Sequence, residues 1–233
     1  MELRLKRAKK VLAILMIVTA VVLVVFYVGK VFAETVFKAH AQTFTVVIDA
    51  GHGGIDGGVS GVNSKVKESD LNLDIAKKLK AEFESVGIKV VMTRSSYGGL
   101  YGTTARGFKL RDMKRRIEII NSANADLMIS VHLNCYSSPS RRGATTFFRQ
   151  GNSQSERLAN CVQKHFNKMS GQTREYKALK GDYYLLNNSN CPSVICECGF
   201  LSSPEDEKLL LTEDYRKEIA KNVFRGAIDF LLG

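Results

Sequence analysis

Three short apolar runs in this chain each end on a side chain that can bind a metal or move a proton. Val46-Val47-Ile48 leads into Asp49-Ala50-Gly51-His52-Gly53-Gly54. Leu127-Met128-Ile129-Ser130-Val131 ends on His132, and Ser193-Val194-Ile195-Cys196 ends on Glu197. The runs are rich in β-branched residues and too short for helices, so they read as buried strands. Segments of helical spacing lie between them. Leu71, Ile75, Leu79 and Phe83 recur every four residues within Ser69 to Val86, and Gly87 stops that helix. Leu110 to Ala123 and Ser155 to Met169 read as further helices. Tyr215, Ile219, Val223, Ile228 and Leu231 mark a terminal one. Ile88 to Thr93 and Ala144 to Phe148 add two strands. This alternation predicts a single α/β domain whose sheet is mostly parallel. In such sheets, sites gather outside the carboxyl ends of the strands.

The chain has only four histidines, and two of them follow buried strands. Read alone, His52 in its glycine loop is equally well an incidental residue of a tight turn. Glu68 opens the Ser69–Val86 helix. Either its charge favours the positive helix end, or a fixed element presents it as a ligand. Two histidines and a glutamate form a known ligand set for a catalytic zinc, with water in the fourth position. A spare carboxylate nearby would then act as general base. Asp49 either supports His52 or caps its strand. Asn134 either serves the site or makes a turn. Arg141 and Arg142 lie in a polar loop, as anion contacts or as solvated charge. Tyr183, Tyr184 and Leu185, in a loop over Lys180 to Asn190, are available to line a cleft. His165 flanks an apolar helix face and reads as a packing residue. His40 has no specific role.

Five cysteines cannot all pair with one another. Cys196 and Cys198 alternate with Glu197 and so point to the opposite face of their strand. With no C-x-x-C spacing, a cysteine-rich metal site is disfavoured. Buried free thiols and a disulfide both remain open.

The formal charge is +11. Part of it is local: Arg4, Lys6, Arg7, Lys9, Lys10 and Lys30 crowd the first 33 residues against the single acid Glu2. Val11 to Gly29 is an uncharged apolar run behind that basic start. It reads as a signal peptide or retained anchor that leaves the rest of the chain outside the membrane. Val31-Phe32-Ala33 offers a small-residue cleavage site. The expected layout is an anchor or signal over 1–33, a connector over 34–42 and a folded domain over 43–233. A modestly basic domain suits an anionic wall polymer or a membrane surface. No basic helix or aromatic stacking pattern argues for nucleic acid.

Four motifs carry a family resemblance. Asp49-Ala50-Gly51-His52-Gly53-Gly54, Lys67-Glu68-Ser69-Asp70-Leu71-Asn72-Leu73, Ser130-Val131-His132-Leu133-Asn134 and Glu197-Cys198-Gly199-Phe200-Leu201-Ser202 occur in family order. Over residues 43 to 233 the chain resembles the zinc-dependent N-acetylmuramoyl-L-alanine amidases of the Amidase_3 type. The resemblance implies about six strands with helices on both faces. It implies Zn2+ held by His52, Glu68 and His132, with Glu197 as the base. The implied substrate is peptidoglycan, cut at the amide between the lactyl group of muramic acid and L-alanine. Arg116 matches a family arginine ahead of Asn121, with a buried ion pair as its expected job. Ala50 stands where proline is common, and Cys198 where an apolar residue is usual. Small size, the apolar N-terminal segment and the lack of a wall-binding module are similar to the spore-cortex amidases of endospore formers. That likeness implies a role in cortex maturation, a forespore location and a possible lipoprotein activating partner. Two rivals stand beside this reading: a zinc peptidase cutting within stem peptides, and a silent or partner-dependent wall-binding protein.

Overall fold

The apolar runs become the strands of one six-stranded sheet in the computed structural model, which describes residues 2–41 and 43–233. Side chains at 3–6, 8, 11, 13 and 37–40 lie outside that description, and with them the readings of Arg4, Lys6 and His40. The strands are β1 (Thr45–Ala50), β2 (Lys89–Met92), β3 (Leu127–Asn134), β4 (Thr145–Phe148), β5 (Leu179–Lys180) and β6 (Ser193–Phe200). Their order across the sheet is β2-β1-β3-β6-β4-β5. β2, β1, β3 and β6 run parallel, while β4 pairs antiparallel with β6. Val46 to Ala50 and Leu127 to Val131 are fully buried, as expected for strands covered on both faces.

Helices cover both faces. On one side α2 (Glu68–Ser85), α4 (Ser153–Phe166) and α7 (Glu213–Leu232) share a core with Ile48, Ile129, Val194, Cys196 and Cys198. On the other, α3 (Phe108–Ser122) and α5 (Tyr184–Asn188) pack on Val47, Met128 and Ile195. Gly87, at φ 90, ends α2 in the left-handed region that the sequence reading required of it.

Two segments differ from expectation, and a short helix is added before the terminal one. The stretch expected to be a loop over Lys180 to Asn190 holds α5, anchored by buried Leu185 and Leu186. Five residues are too few to show a helical period. The expected terminal helix is α7, and a short helix α6 (Pro204–Leu210) precedes it, separated at Leu211 and Thr212. Ser203 accepts from the Asp206 amide and Thr212 from the Tyr215 amide, so each helix has its own N-cap. The expected connector is not irregular. α1 (Glu2–Ala41) runs helical to Ala41, through a stretch free of proline and glycine. Within α1, Ile14–Val36 is long and apolar enough to cross a membrane.

Candidate metal centre

Parallel pairing places the ends of β1, β3 and β6 side by side. His132 on β3 stands opposite Glu197 on β6, and β1 delivers His52 just beyond Ala50. His52 has φ 60, rare for a residue with a side chain. Its carbonyl is held by Arg116 Nη2 at 2.6 Å. α2 brings in Glu68, whose Oε1 lies 3.3 Å from His52 Nε2 and 3.0 Å from His132 Nδ1. The His52 and His132 rings meet edge to face, with centroids 4.9 Å apart. Ligand atoms of these three residues all lie within 4.8 Å of one another. A tetrahedral ion with bonds of about 2.0–2.2 Å would hold its ligands about 3.3 Å apart. Two imidazole nitrogens and a carboxylate oxygen at these separations therefore fit such an ion in both chemistry and spacing.

The glycines make room for this convergence. A Cβ on Gly51 would run into the His132 ring, and one on Gly58 into the Glu68 carboxylate. Glu68 is further fixed by amides: Leu133 N and Asn72 Nδ2 donate to Oε1 at 3.1 and 3.2 Å, and Val59 N donates to Oε2 at 3.0 Å. Burial alone would raise its pKa, but hydrogen bonds and charge from His132 and His52 hold it well below the carboxylate range. Burial likewise opposes the charged form of His52, yet Glu68 and then Asp56 lift that imidazole to about 9.

Glu197 is different. Burial pushes it up to about 7 and Glu68 adds to the rise, against the opposing histidines. Its Oε2 is buried without a hydrogen-bond partner among the described residues. A carboxyl group poised near neutrality, beside the ligand cluster and with one oxygen unengaged, is suited to move protons.

A polar network underlies the glycine loop. Asp49 accepts from Thr93 Oγ1, Ser130 Oγ and Arg116 Nη1, each at 2.6 Å. Arg116 is 2% exposed and also pairs with Asp112, as the buried ion-pair expectation required. Arg94 donates to the carbonyls of Ala50, Gly51 and Ser69, tying β1 to the start of α2.

Some expected residues land elsewhere. Asp49 does not touch the His52 ring; it acts from below, through Arg116. The carboxylate on His52 Nδ1 is Asp56, at 3.0 Å. Arg142 Nε donates to Asp206 Oδ1 at 3.0 Å. Arg141 lies over the Tyr136 ring and does not line the cavity at the centre. Asn134 Oδ1 accepts from the Cys135 amide, the turn role weighed for it. His165 pairs with Asp229. Cys196 and Cys198 are buried in the core on the face away from Glu197, and all five cysteines are free thiols.

Beside the centre lies a cavity of about 250 Å³, with Tyr101, Phe108, Met113, Tyr183, Leu185 and Ile195 on its apolar side. Tyr183, Tyr184 and Leu185 line it as expected. Tyr101, Phe108, Lys109 and Asp56 were not singled out from the sequence. Only the spacing of Asp56, four residues past His52 in the glycine loop, hinted at a role.

Residues 46–229 match the family model for N-acetylmuramoyl-L-alanine amidase, Amidase_3. The germination-specific N-acetylmuramoyl-L-alanine amidase of Bacillus subtilis is 32% identical over 189 residues, 79% of this chain and 78% of that protein. The CwlD amidase of Clostridioides difficile, solved in complex with the GerS lipoprotein, superposes with a TM-score of 0.77 at 36% identity. That match covers 81% of this chain and 98% of that one. An N-acetylmuramoyl-L-alanine amidase from Clostridium difficile 630 gives 0.71 at 31% identity, covering 81% and 96%.

Proposed function

The chain belongs to the Amidase_3 family of N-acetylmuramoyl-L-alanine amidases, and from that premise we propose a zinc-dependent hydrolysis built on His52, Glu68, His132 and Glu197. The observation that carries it is the convergence of three ligand atoms beside a carboxyl group raised to about 7. His52, Glu68 and His132 would hold the zinc. Asp56 fixes the His52 ring from behind, so that Nε2 faces Glu68. When bound, zinc supplies a Lewis acid for the scissile carbonyl and lowers the pKa of the attacking water. Glu197 takes the proton of that water and returns it to the nitrogen of L-alanine as the amide breaks. The products are the free lactyl carboxylate and a stem peptide with a new amino terminus. No side-chain nucleophile is needed, and the thiols of Cys196 and Cys198 face away.

The finer setting follows the relatives. The Bacillus subtilis relative is named germination-specific, and the CwlD structure includes a lipoprotein. These support a role in spore cortex maturation with a lipoprotein as partner. α1 supports an extracytoplasmic domain, anchored by residues 1–33 or released after Ala33, with 43–233 as the catalytic unit.

The test incubates the zinc-loaded chain and its Glu197→Gln variant with peptidoglycan and measures newly freed N-terminal alanine. The variant should keep its zinc and release alanine ends about 10²–10⁴-fold more slowly. Amino ends other than alanine would move the assignment to a peptidase of the stem.

A further inference from the structure

The cavity beside the metal centre has one positive side chain that the fold does not use. Two cationic side chains line it besides the two histidines, Lys109 and Arg116. Arg116 is consumed by Asp49, Asp112 and the carbonyls of Ala50 and His52. Lys109 is different, with its side chain 68% exposed. Among the described residues its one ionic contact, to Asp56 Oδ1 at 3.6 Å, is longer than a hydrogen bond. Asp56 spends its other oxygen on His52 Nδ1. Lys109 is also the second residue of α3, whose first turn has no acid. A cation there stands against the positive end of the helix dipole, so the helix gains nothing from its charge.

We propose that Lys109 reads a free carboxylate on the peptide side of the scissile amide, as a specificity-determining residue; this rests on the amidase reading of the same cavity. One carboxylate, that of Asp56, separates the Lys109 ammonium from His52. An anion bound by Lys109 therefore lies close along the substrate to the groups held by the centre. The substrate's chemistry says which side that anion is on. The carboxyl of the muramic lactyl group is already tied up in the scissile amide. The remaining carboxylates near the cut belong to the stem peptide beyond L-alanine. Arg141 and Arg142, the cations the sequence offered for this job, do not line the cavity; Arg141 lies over Tyr136 and Arg142 pairs with Asp206.

The test measures binding without turnover, in the full zinc-loaded chain carrying Glu197→Gln. The probes are two soluble muropeptides that differ only in whether the carboxylate of the residue after L-alanine is free or amidated. Adding Lys109→Ala should weaken the free-carboxylate muropeptide about fivefold, within the range of an exposed ion pair, and change the amidated one less than twofold. Lys109→Arg should keep the preference, and zinc content should match in all variants. Equal losses on both probes, no loss on either, or no binding of either overturns the proposal. Failure of the amidase reading shows separately, as absence of new alanine ends when the unmutated chain meets peptidoglycan.

Discussion

Gly51 shows how much of the centre depends on one missing side chain. Its φ lies outside the left-handed region, so its backbone suits any residue, and only the approach of the His132 ring requires glycine. β3 fixes His132 in register with Glu197, which leaves the ring little freedom to retreat. Gly51→Ala should therefore displace His132 Nδ1 from Glu68 and cut zinc affinity at least 10-fold, read by competition with a chromophoric chelator. Overpacking should cost the metal-free protein about 1–3 kcal/mol. Wild-type zinc affinity in that variant would sink the argument. The three residues of the candidate cluster were legible because each sits at the edge of a recognisable element. Asp56 and Lys109 were not, because a charged residue in a loop or on a helix start looks the same in sequence whether or not a site uses it.

At the scale of elements, Asp49 and Arg116 couple β1 to α3 beneath the glycine loop. Burial opposes the Asp49 charge, but Arg116 and the Ser130 and Thr93 hydroxyls win and hold its pKa at about 2. The unfolded chain titrates this group at about 3.9, so the folded state binds the proton less readily. The resulting stability, about 2–3 kcal/mol, is present in full only above about pH 5 and is lost progressively as pH falls through about 2. Urea unfolding followed between pH 5 and pH 2 should show this loss in the wild type and a shallower acid limb in Asp49→Asn. Identical limbs would mean the network does not couple to folding. The elements joined here were readable in advance where apolar runs or four-residue spacing lasted long enough. α5 and β5 escaped notice because five and two residues carry no period. Their places are set by Leu185 and Leu186 entering the second core and by pairing with β4. The Arg116 ion pair was expected only through the family pattern, since its partners are 67 and 4 residues away in sequence.

For the whole molecule, β1 lies between the apolar helix α1 and the candidate metal centre. α1 ends at Ala41, just ahead of the amino end of β1, and the metal centre sits past its carboxyl end. Six extended residues separate the two by about 20 Å. Were α1 held in a bilayer, the centre would lie past the far end of β1 from it. The exposure of the described α1 side chains predicts that α1 is dispensable for folding. Among the described side chains of α1, Ala41 alone is buried, while residues such as Leu23, Phe26 and Phe32 are exposed. Removing residues 1–40 keeps Ala41 and deletes no other described core contact. The shortened protein should lose binding to lipid vesicles while its thermal midpoint moves by less than about 4 °C, the shift that about 1 kcal/mol produces in a domain of this size. It should also release alanine ends from soluble muropeptides at the rate of the full chain. A fall of 10 °C or more would show instead that α1 packs as part of the catalytic core, and the picture of a separable tether would fail.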